Sequence, residues 1–150
     1  MANASLLNLS NQMCFAVYST AHALNRIYKP LLDPLGLTYP QYLVMLVLWE
    51  ADGLTVKEIG QRLRLDSGTL TPLLKRLQAA GLVRRERDTS DERQVRIGLT
   101  DQGRALRERA EAVPYGLLAA TGCSAEEAAA LRTLFVRLRD RLDHAANGRG

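Results

Sequence analysis

The stretch Leu65-Asp66-Ser67-Gly68-Thr69-Leu70-Thr71-Pro72-Leu73-Leu74-Lys75-Arg76-Leu77 is compatible with few folds. Leu70, Leu73, Leu74 and Leu77 recur at helical spacing and face a core, leaving Thr69, Thr71, Lys75 and Arg76 for the opposite side. The resulting helix is short, with a polar, cationic outer face that suits a DNA groove. Many surface helices share that pattern, so the reading depends on what flanks it.

Upstream, Thr55-Val56-Lys57-Glu58 is a capping box opening a short helix to about Leu63. Arg64-Leu65-Asp66 is then a tight connection, with Asp66 or Ser67 capping the next helix. Two short helices joined this closely make a helix-turn-helix. Pro72 falls near the second turn of the second helix, where it removes a backbone bond, so a local irregularity is expected. Past Gly81 the period becomes alternating, with Val83 on one side of Thr89-Ser90-Asp91 and Val95, Ile97 and Leu99 on the other: a hairpin, or wing. Its polar faces carry Arg84, Arg85, Arg87, Arg93 and Arg96. From Lys75 to Leu99 seven cations stand against four anions, which places most of the chain's net charge of +4 here. Candidate DNA contacts are Ser67, Thr69, Thr71, Pro72, Lys75 and Arg76 on the helix and Arg87, Arg93 and Arg96 on the wing. Two readings of the wing remain open: Asp91 anchoring Arg93 while other arginines meet phosphate, or a solvated charged hairpin with Glu86, Asp88, Asp91 and Glu92 among its cations.

The flanks read as helices. From Leu9 to Leu35, residues Met13, Val17, Ala21, Leu24, Tyr28, Leu31 and Leu35 step by three and four, with Pro30 and Pro34 disturbing the end and Gly36 stopping it. Thr38-Tyr39-Pro40 starts a nearly all-apolar helix over Gln41 to Glu50 that belongs in the core. Thr100 caps a further helix expected to kink at Pro114. Ser124-Ala125-Glu126-Glu127 reads as a second capping box, opening a last helix with Leu131, Leu134, Phe135, Leu138 and Leu142 on one face and a tail frayed from Ala145. The expected fold is therefore mainly α with a small β-hairpin wing, and 150 residues suit one domain. A net charge of +4 permits nucleic acid as a partner without demanding it. No apolar run approaches the roughly 20 residues of a membrane span, and Met1 to Ser5 lacks a signal-peptide start, so a cytoplasmic location is expected. In that compartment Cys14 and Cys123 are expected to be reduced, catalytic or redox-sensing rather than a permanent staple. Two cysteines without a histidine cluster make a zinc site improbable, His22 and His144 have no partners at ligand spacing, and no cofactor is implied.

This order of elements, with Thr69 to Leu77, Gly81-Leu82-Val83 and Asp91-Glu92-Arg93-Gln94-Val95-Arg96-Ile97-Gly98-Leu99-Thr100, closely resembles the MarR family of winged-helix repressors over almost the whole chain. Asn11 to Thr20, Tyr28 to Asp33 and Leu37 to Tyr42 resemble its organic hydroperoxide resistance regulators (OhrR). The resemblance implies a homodimer joined through residues 1–35 and 101–145, with a winged helix-turn-helix lobe over 36–100 reading a palindromic double-stranded operator. It also implies that Cys14 is peroxide-reactive, that Tyr28 and Tyr39 hydrogen-bond it, and that Cys123 is the resolving cysteine of the two-cysteine type. Within one unbroken helix Cys14 and Tyr28 stand about 21 Å apart, so contact requires a second subunit or a sharp bend. Tyr18, one turn from Cys14, is the tyrosine that local geometry brings near. Phenols donating to sulfur favour the thiolate, the form that attacks a peroxide. Met13, Phe15, Ala16 and Val17 offer an apolar surface suited to a hydrocarbon-bearing hydroperoxide.

The expected function is a repressor, not an enzyme, released from DNA when an organic hydroperoxide oxidises Cys14 and a disulfide with Cys123 follows. The alternative is release by a small phenolic ligand without thiol oxidation. A thiol peroxidase is disfavoured because no arginine lies beside Cys14; the nearest cation in sequence is Arg26.

Overall fold

The computed structural model describes residues 5–149, so Met1 to Ala4 and Gly150, parts of the expected signal-free start and frayed tail, lie outside the described residues. The chain divides into two units, residues 1–113 and 114–150.

In the first unit, a single 3-10 turn at Leu9–Asn11 precedes α1 (Met13–Leu32). The expected start at Leu9 is thus displaced to Met13. Gln12 Nε2 donates to the carbonyls of Leu6 and Asn8, holding the preceding segment in turns rather than helix. A second 3-10 turn (Asp33–Leu35) ends at Gly36, whose φ of +68° supplies the left-handed stop. Helix α2 (Tyr39–Glu50) is capped by Thr38 in a reciprocal box with Gln41 and buries Tyr42, Val44, Met45, Val47 and Leu48. It is the centre of the core, around which Leu32, Ile59, Leu70, Leu74, Leu77, Ile97 and Val113 close.

The helix-turn-helix comprises α3 (Val56–Leu63), with its Thr55–Glu58 box formed in both directions, and α4 (Ser67–Ala79), capped by Asp66 rather than Ser67. The expected core leucines of α4 are all buried. Gly60 permits the tight turn: a Cβ there would lie 2.7 Å from the Leu65 carbonyl oxygen. The irregularity expected at Pro72 does not interrupt α4, which runs through it as one helix. Only one backbone bond, to the Gly68 carbonyl, is forgone, and Gly68 is an exposed residue of the first turn.

The wing is β2 (Val83–Arg87) and β3 (Val95–Leu99), paired antiparallel with Arg85 opposite Ile97. A strand invisible to periodicity, β1 (Leu54–Thr55), adds to β3, giving the order β1-β3-β2. Helix α5 (Asp101–Ala110) is capped by Thr100, and Trp49 Nε1 donates to the Gly103 carbonyl at 2.9 Å. The expected kink at Pro114 lies upstream instead, at Glu111, between α5 and α6 (Ala112–Thr121). Pro114 has no N–H to offer the Ala110 carbonyl, so the helical ladder breaks one turn before the proline.

In the second unit, α7 (Ala125–Asn147) starts on a half-formed box: Ser124 Oγ accepts from the Glu127 N–H, without a return bond from Glu127. It extends past the expected fraying point, ending where the Gly148 N–H meets the His144 carbonyl. None of its residues is buried; Leu134 and Leu142 are 61% and 60% exposed. Among the described residues, no single helix is long and apolar enough to cross a membrane.

Candidate nucleic-acid interface and thiol site

Helix α4 presents Ser67, Thr69, Pro72, Lys75 and Arg76 to solvent, with Thr71 half-buried beside them. The buried leucine face fixes this orientation, so all six expected contacts share the surface away from the core. Between α3, the start of α4 and the wing lies a cleft of about 680 Å³, with Lys57, Arg64, Arg85 and Arg93 among its lining residues.

The wing arginines are not equivalent. Arg93, 95% exposed, is free to reach outward, and Arg87 is exposed. Arg96 is turned into the protein: Nε and Nη2 donate to Asp88 Oδ2 at 3.0 and 2.9 Å, and Nη1 donates to the Gly53 carbonyl at 2.8 Å. The geometry makes Arg96 a tie between wing and β1. Asp88 is only 5% exposed, and its other oxygen accepts from the Ser90 N–H and hydroxyl. Those Ser90 bonds first, then Arg96, hold the Asp88 carboxyl below its ordinary value. The expected anchor, Asp91, plays a lesser part, accepting from the Arg93 N–H at 3.1 Å with the guanidinium 3.8 Å away. Sequence reasoning counted Asp88 among diluting anions; the Asp-x-Ser pattern of Asp88-Thr89-Ser90 is the turn signal that identifies it.

The residues expected at the thiol site fall in separate places. Cys14 is exposed and occupies the second position of α1, whose first turn contains no acidic residue and whose N-cap, Gln12, makes no side-chain cap bond. The positive end of the helix dipole is therefore unopposed beside the sulfur. One turn on, Tyr18 stacks on His22 with ring centroids 4.4 Å apart, a partner the sequence had not suggested for His22. Tyr28 and Tyr39 do meet, at 4.5 Å, and half-enclose a cavity of about 350 Å³ together with Asn25, Leu32 and Leu37. Tyr42, absent from the expected site, completes the cluster at 6.1 Å from Tyr28. Burial, followed by the neighbouring Tyr39 and Tyr42 phenols, pushes Tyr28 up to about 12, and burial also raises Tyr39 and Tyr42. All three remain hydroxyl donors across the neutral and mildly alkaline range. Because α1 is continuous from Met13 to Leu32, Cys14 and Tyr28 of one chain stay about 21 Å apart. Cys123 is half-buried between α6 and α7, its N–H bonded to Thr121 Oγ1 at 3.2 Å.

The sequence profile of the SarA/Rot transcriptional regulators matches residues 26–109. The chain is 57% identical over 141 residues to the HTH-type transcriptional regulator TtmR of Methylorubrum extorquens, covering 94% of this chain and 72% of that one. It is 46% identical over 136 residues to the organic hydroperoxide resistance transcriptional regulator of Bacillus subtilis, covering 91% and 92%. The overoxidised, DNA-bound form of AbfR, a protein of Staphylococcus epidermidis, superposes with a TM-score of 0.77 at 40% identity over 96% of this chain and 98% of that one; AbfR is also known in a disulfide form. These relatives are regulators of transcription rather than enzymes, and the superposition on AbfR takes in the helix-turn-helix, the wing and the flanking helices alike: the chain belongs to the MarR family of winged-helix transcriptional regulators.

Proposed function

We propose that the protein is a homodimeric repressor that binds a palindromic double-stranded operator and releases it when an organic hydroperoxide oxidises Cys14. The observation that carries this reading is the separation of Cys14 from the tyrosines. Cys14 sits at the positive start of α1, while Tyr28 lies about two-thirds of a helix length away on the same rod, with Tyr39 at the start of α2 packed against it. A second copy running antiparallel along α1 brings one chain's phenols to the other chain's sulfur. Helices α1 (Met13, Phe15, Val17, Ile27) and α7 (Leu131, Leu134, Phe135, Leu142) each keep exposed apolar residues that a second copy would cover.

The chemistry balances without a cofactor. The Cys14 thiolate attacks the distal peroxide oxygen; an S–O bond forms as the O–O bond breaks, sulfur gives up two electrons, and the leaving alkoxide takes a proton to become the alcohol. The resulting sulfenic acid condenses with the Cys123 thiol, losing water to give a disulfide. Tyr28 and Tyr39 stay protonated, so they donate to sulfur throughout. Either change at Cys14 reshapes the dimer interface and hence the spacing of the two α4 helices. The support from known proteins is the Bacillus subtilis relative's stated role in organic hydroperoxide resistance and the overoxidised and disulfide forms of AbfR.

Cys14→Ser is expected to bind operator like the wild type in a mobility-shift titration and to stay bound after cumene hydroperoxide is added; release at the wild-type dose overturns the thiol mechanism. The cavity beside Tyr28 and Tyr39 favours one other reading, release by a small phenolic ligand. That reading predicts release of Cys14→Ser by the phenol alone.

A further inference from the structure

We propose that the cleft between α3, the start of α4 and the inner face of the wing is the seat of one phosphodiester of the bound DNA, fixed by Arg85. The inference rests on the DNA-binding reading and assigns a residue that neither the helix pattern nor the net charge of the wing singled out.

Strand parity places Arg85. Val83 is buried and Arg84 exposed, so alternation turns Arg85 to the same side as Val83, the face that both share with their buried cross-strand partners Leu99 and Ile97 and that looks toward the helices. An apolar residue is the usual occupant of such a position. Arg85 instead lies half-buried, and its Nε is the buried side-chain nitrogen or oxygen that lacks a hydrogen-bond partner among the described residues. A desolvated guanidinium N–H without an acceptor costs free energy, so a site that retains one is built for an acceptor that arrives from outside.

The walls define that acceptor. Lys57, Arg64, Arg85 and Arg93 line the cleft, with Thr55, Gln61, Ser67 and Thr71 as neutral polar groups, and no carboxylate is among the lining residues. A cleft whose lining carries four cations and no carboxylate favours an anion, and the planar fork of an arginine matches two phosphate oxygens. Ser67 and Thr71 belong to the outer face of α4, so a strand whose groove accepts α4 passes across the mouth of this cleft. That continuity favours a backbone phosphate over a free small anion. A phosphate contact fixes register without reading sequence.

The test uses the full-length protein and the duplex that the wild type selects from a random-sequence library, with affinity measured by fluorescence anisotropy between about 50 and 200 mM salt. Each phosphate contact contributes about 0.9 to the slope of log affinity against log salt. Arg85→Ala is expected to flatten that slope by about 1.8 for the two copies of a dimer and to weaken binding at least tenfold at low salt, while selecting the same duplex. Arg85→Lys, which keeps the charge but not the fork, is expected to retain most of the slope at reduced affinity. An unchanged slope in Arg85→Ala overturns the seat, even if affinity falls, because a purely structural arginine would lower affinity and thermal midpoint together at constant slope. If Arg85→Ala does not fold, Arg85→Lys and Arg85→Gln carry the same slope comparison, and equal slopes in the two overturn the proposal. Micromolar binding of inorganic phosphate that Arg85→Ala abolishes, with the DNA slope intact, assigns the cleft to a free anion and also overturns it. A wild-type protein that selects no duplex removes the DNA-binding reading itself, whereas an intact wild-type slope with an unaltered variant removes the seat alone.

Discussion

The two faces of the wing carry arginines in similar number and use them oppositely. On the inner face, Arg85 and Arg93 join Lys57 and Arg64 around a cleft whose lining contains no acid. On the outer face, a smaller cavity of about 290 Å³ is bordered by Arg84 and Arg96 together with Asp52 and Glu86. Asp52 there accepts from the Leu99 N–H at 2.8 Å and from Arg104 at 3.3 Å, while Arg96 is fastened to Asp88 and Gly53. Outer charges therefore stitch the sheet to the turn before β1 and to α5, whereas on the inner face the Arg85 Nε lacks a hydrogen-bond partner among the described residues. Net charge cannot separate these roles, but strand parity and the positions of the carboxylates can.

The largest effect is expected where the stitching supports the contacts. Asp88→Asn removes the charge that holds Arg96 and leaves one acceptor oxygen where Ser90 and Arg96 now use two, so the wing loses part of the tie between its turn and the segment before β1. Operator affinity is expected to fall by at least about tenfold with a drop of several degrees in thermal midpoint, since one partner of a hydrogen-bonded pair is left unmatched. Because the folded carboxyl sits below its ordinary value, its contribution is complete above the ordinary aspartate range, near pH 4, and is lost as pH falls through the lower folded value. Wild-type binding should therefore hold down to about pH 4, and Asp88→Asn should lack the decline below it. A variant with wild-type affinity would show that the outer face does not support the inner one.

A smaller loss separates the wing from the rest of the basic surface. Arg93→Ala removes a side chain that is 95% exposed at the mouth of the cleft, and affinity is expected to fall roughly five- to tenfold as one phosphate contact disappears from each subunit. Arg137→Ala, on the exposed surface of α7, is expected to change it by less than about twofold. Equal losses in parallel mobility-shift titrations would mean that charge acts diffusely rather than through the wing.

These roles were unequally legible in the sequence. The leucines of α4, the Thr55–Glu58 box and the alternation of the hairpin are local patterns, and each formed as its spacing dictates. Strand β1 was not legible because two residues carry no period, and its existence depends on β3 arriving from forty residues away. Asp88 and Arg85 were hidden for a related reason. A charged residue in a hairpin reads as solvated until its neighbours are known: Arg85 shares its cleft with residues of β1, α3 and α4, whereas Asp88 is held by Ser90 and by Arg96 across its own hairpin. Cys14 shows the opposite case: its local setting at the start of α1 is plain, but Tyr28 stands about 21 Å away along the same helix, with Tyr39 packed beside Tyr28.

The smallest expected effect is also the sharpest check on parity. Arg84 neighbours Arg85 in sequence, carries the same charge and is more exposed, so any account based on the density of positive charge predicts a loss at least as large. The outer-face placement predicts otherwise. Arg84 borders a cavity whose lining includes the carboxylates of Asp52 and Glu86, and strand alternation puts it on the face opposite Arg85. Arg84→Ala is expected to change operator affinity by less than about twofold, in keeping with exposed charges that lie beside carboxylates, and to leave the salt slope within about 0.3 of the wild type, well short of one phosphate contact. A flattening equal to that of Arg85→Ala would mean that DNA reaches both faces of the strand, and the division between a stitched face and an open one would no longer hold.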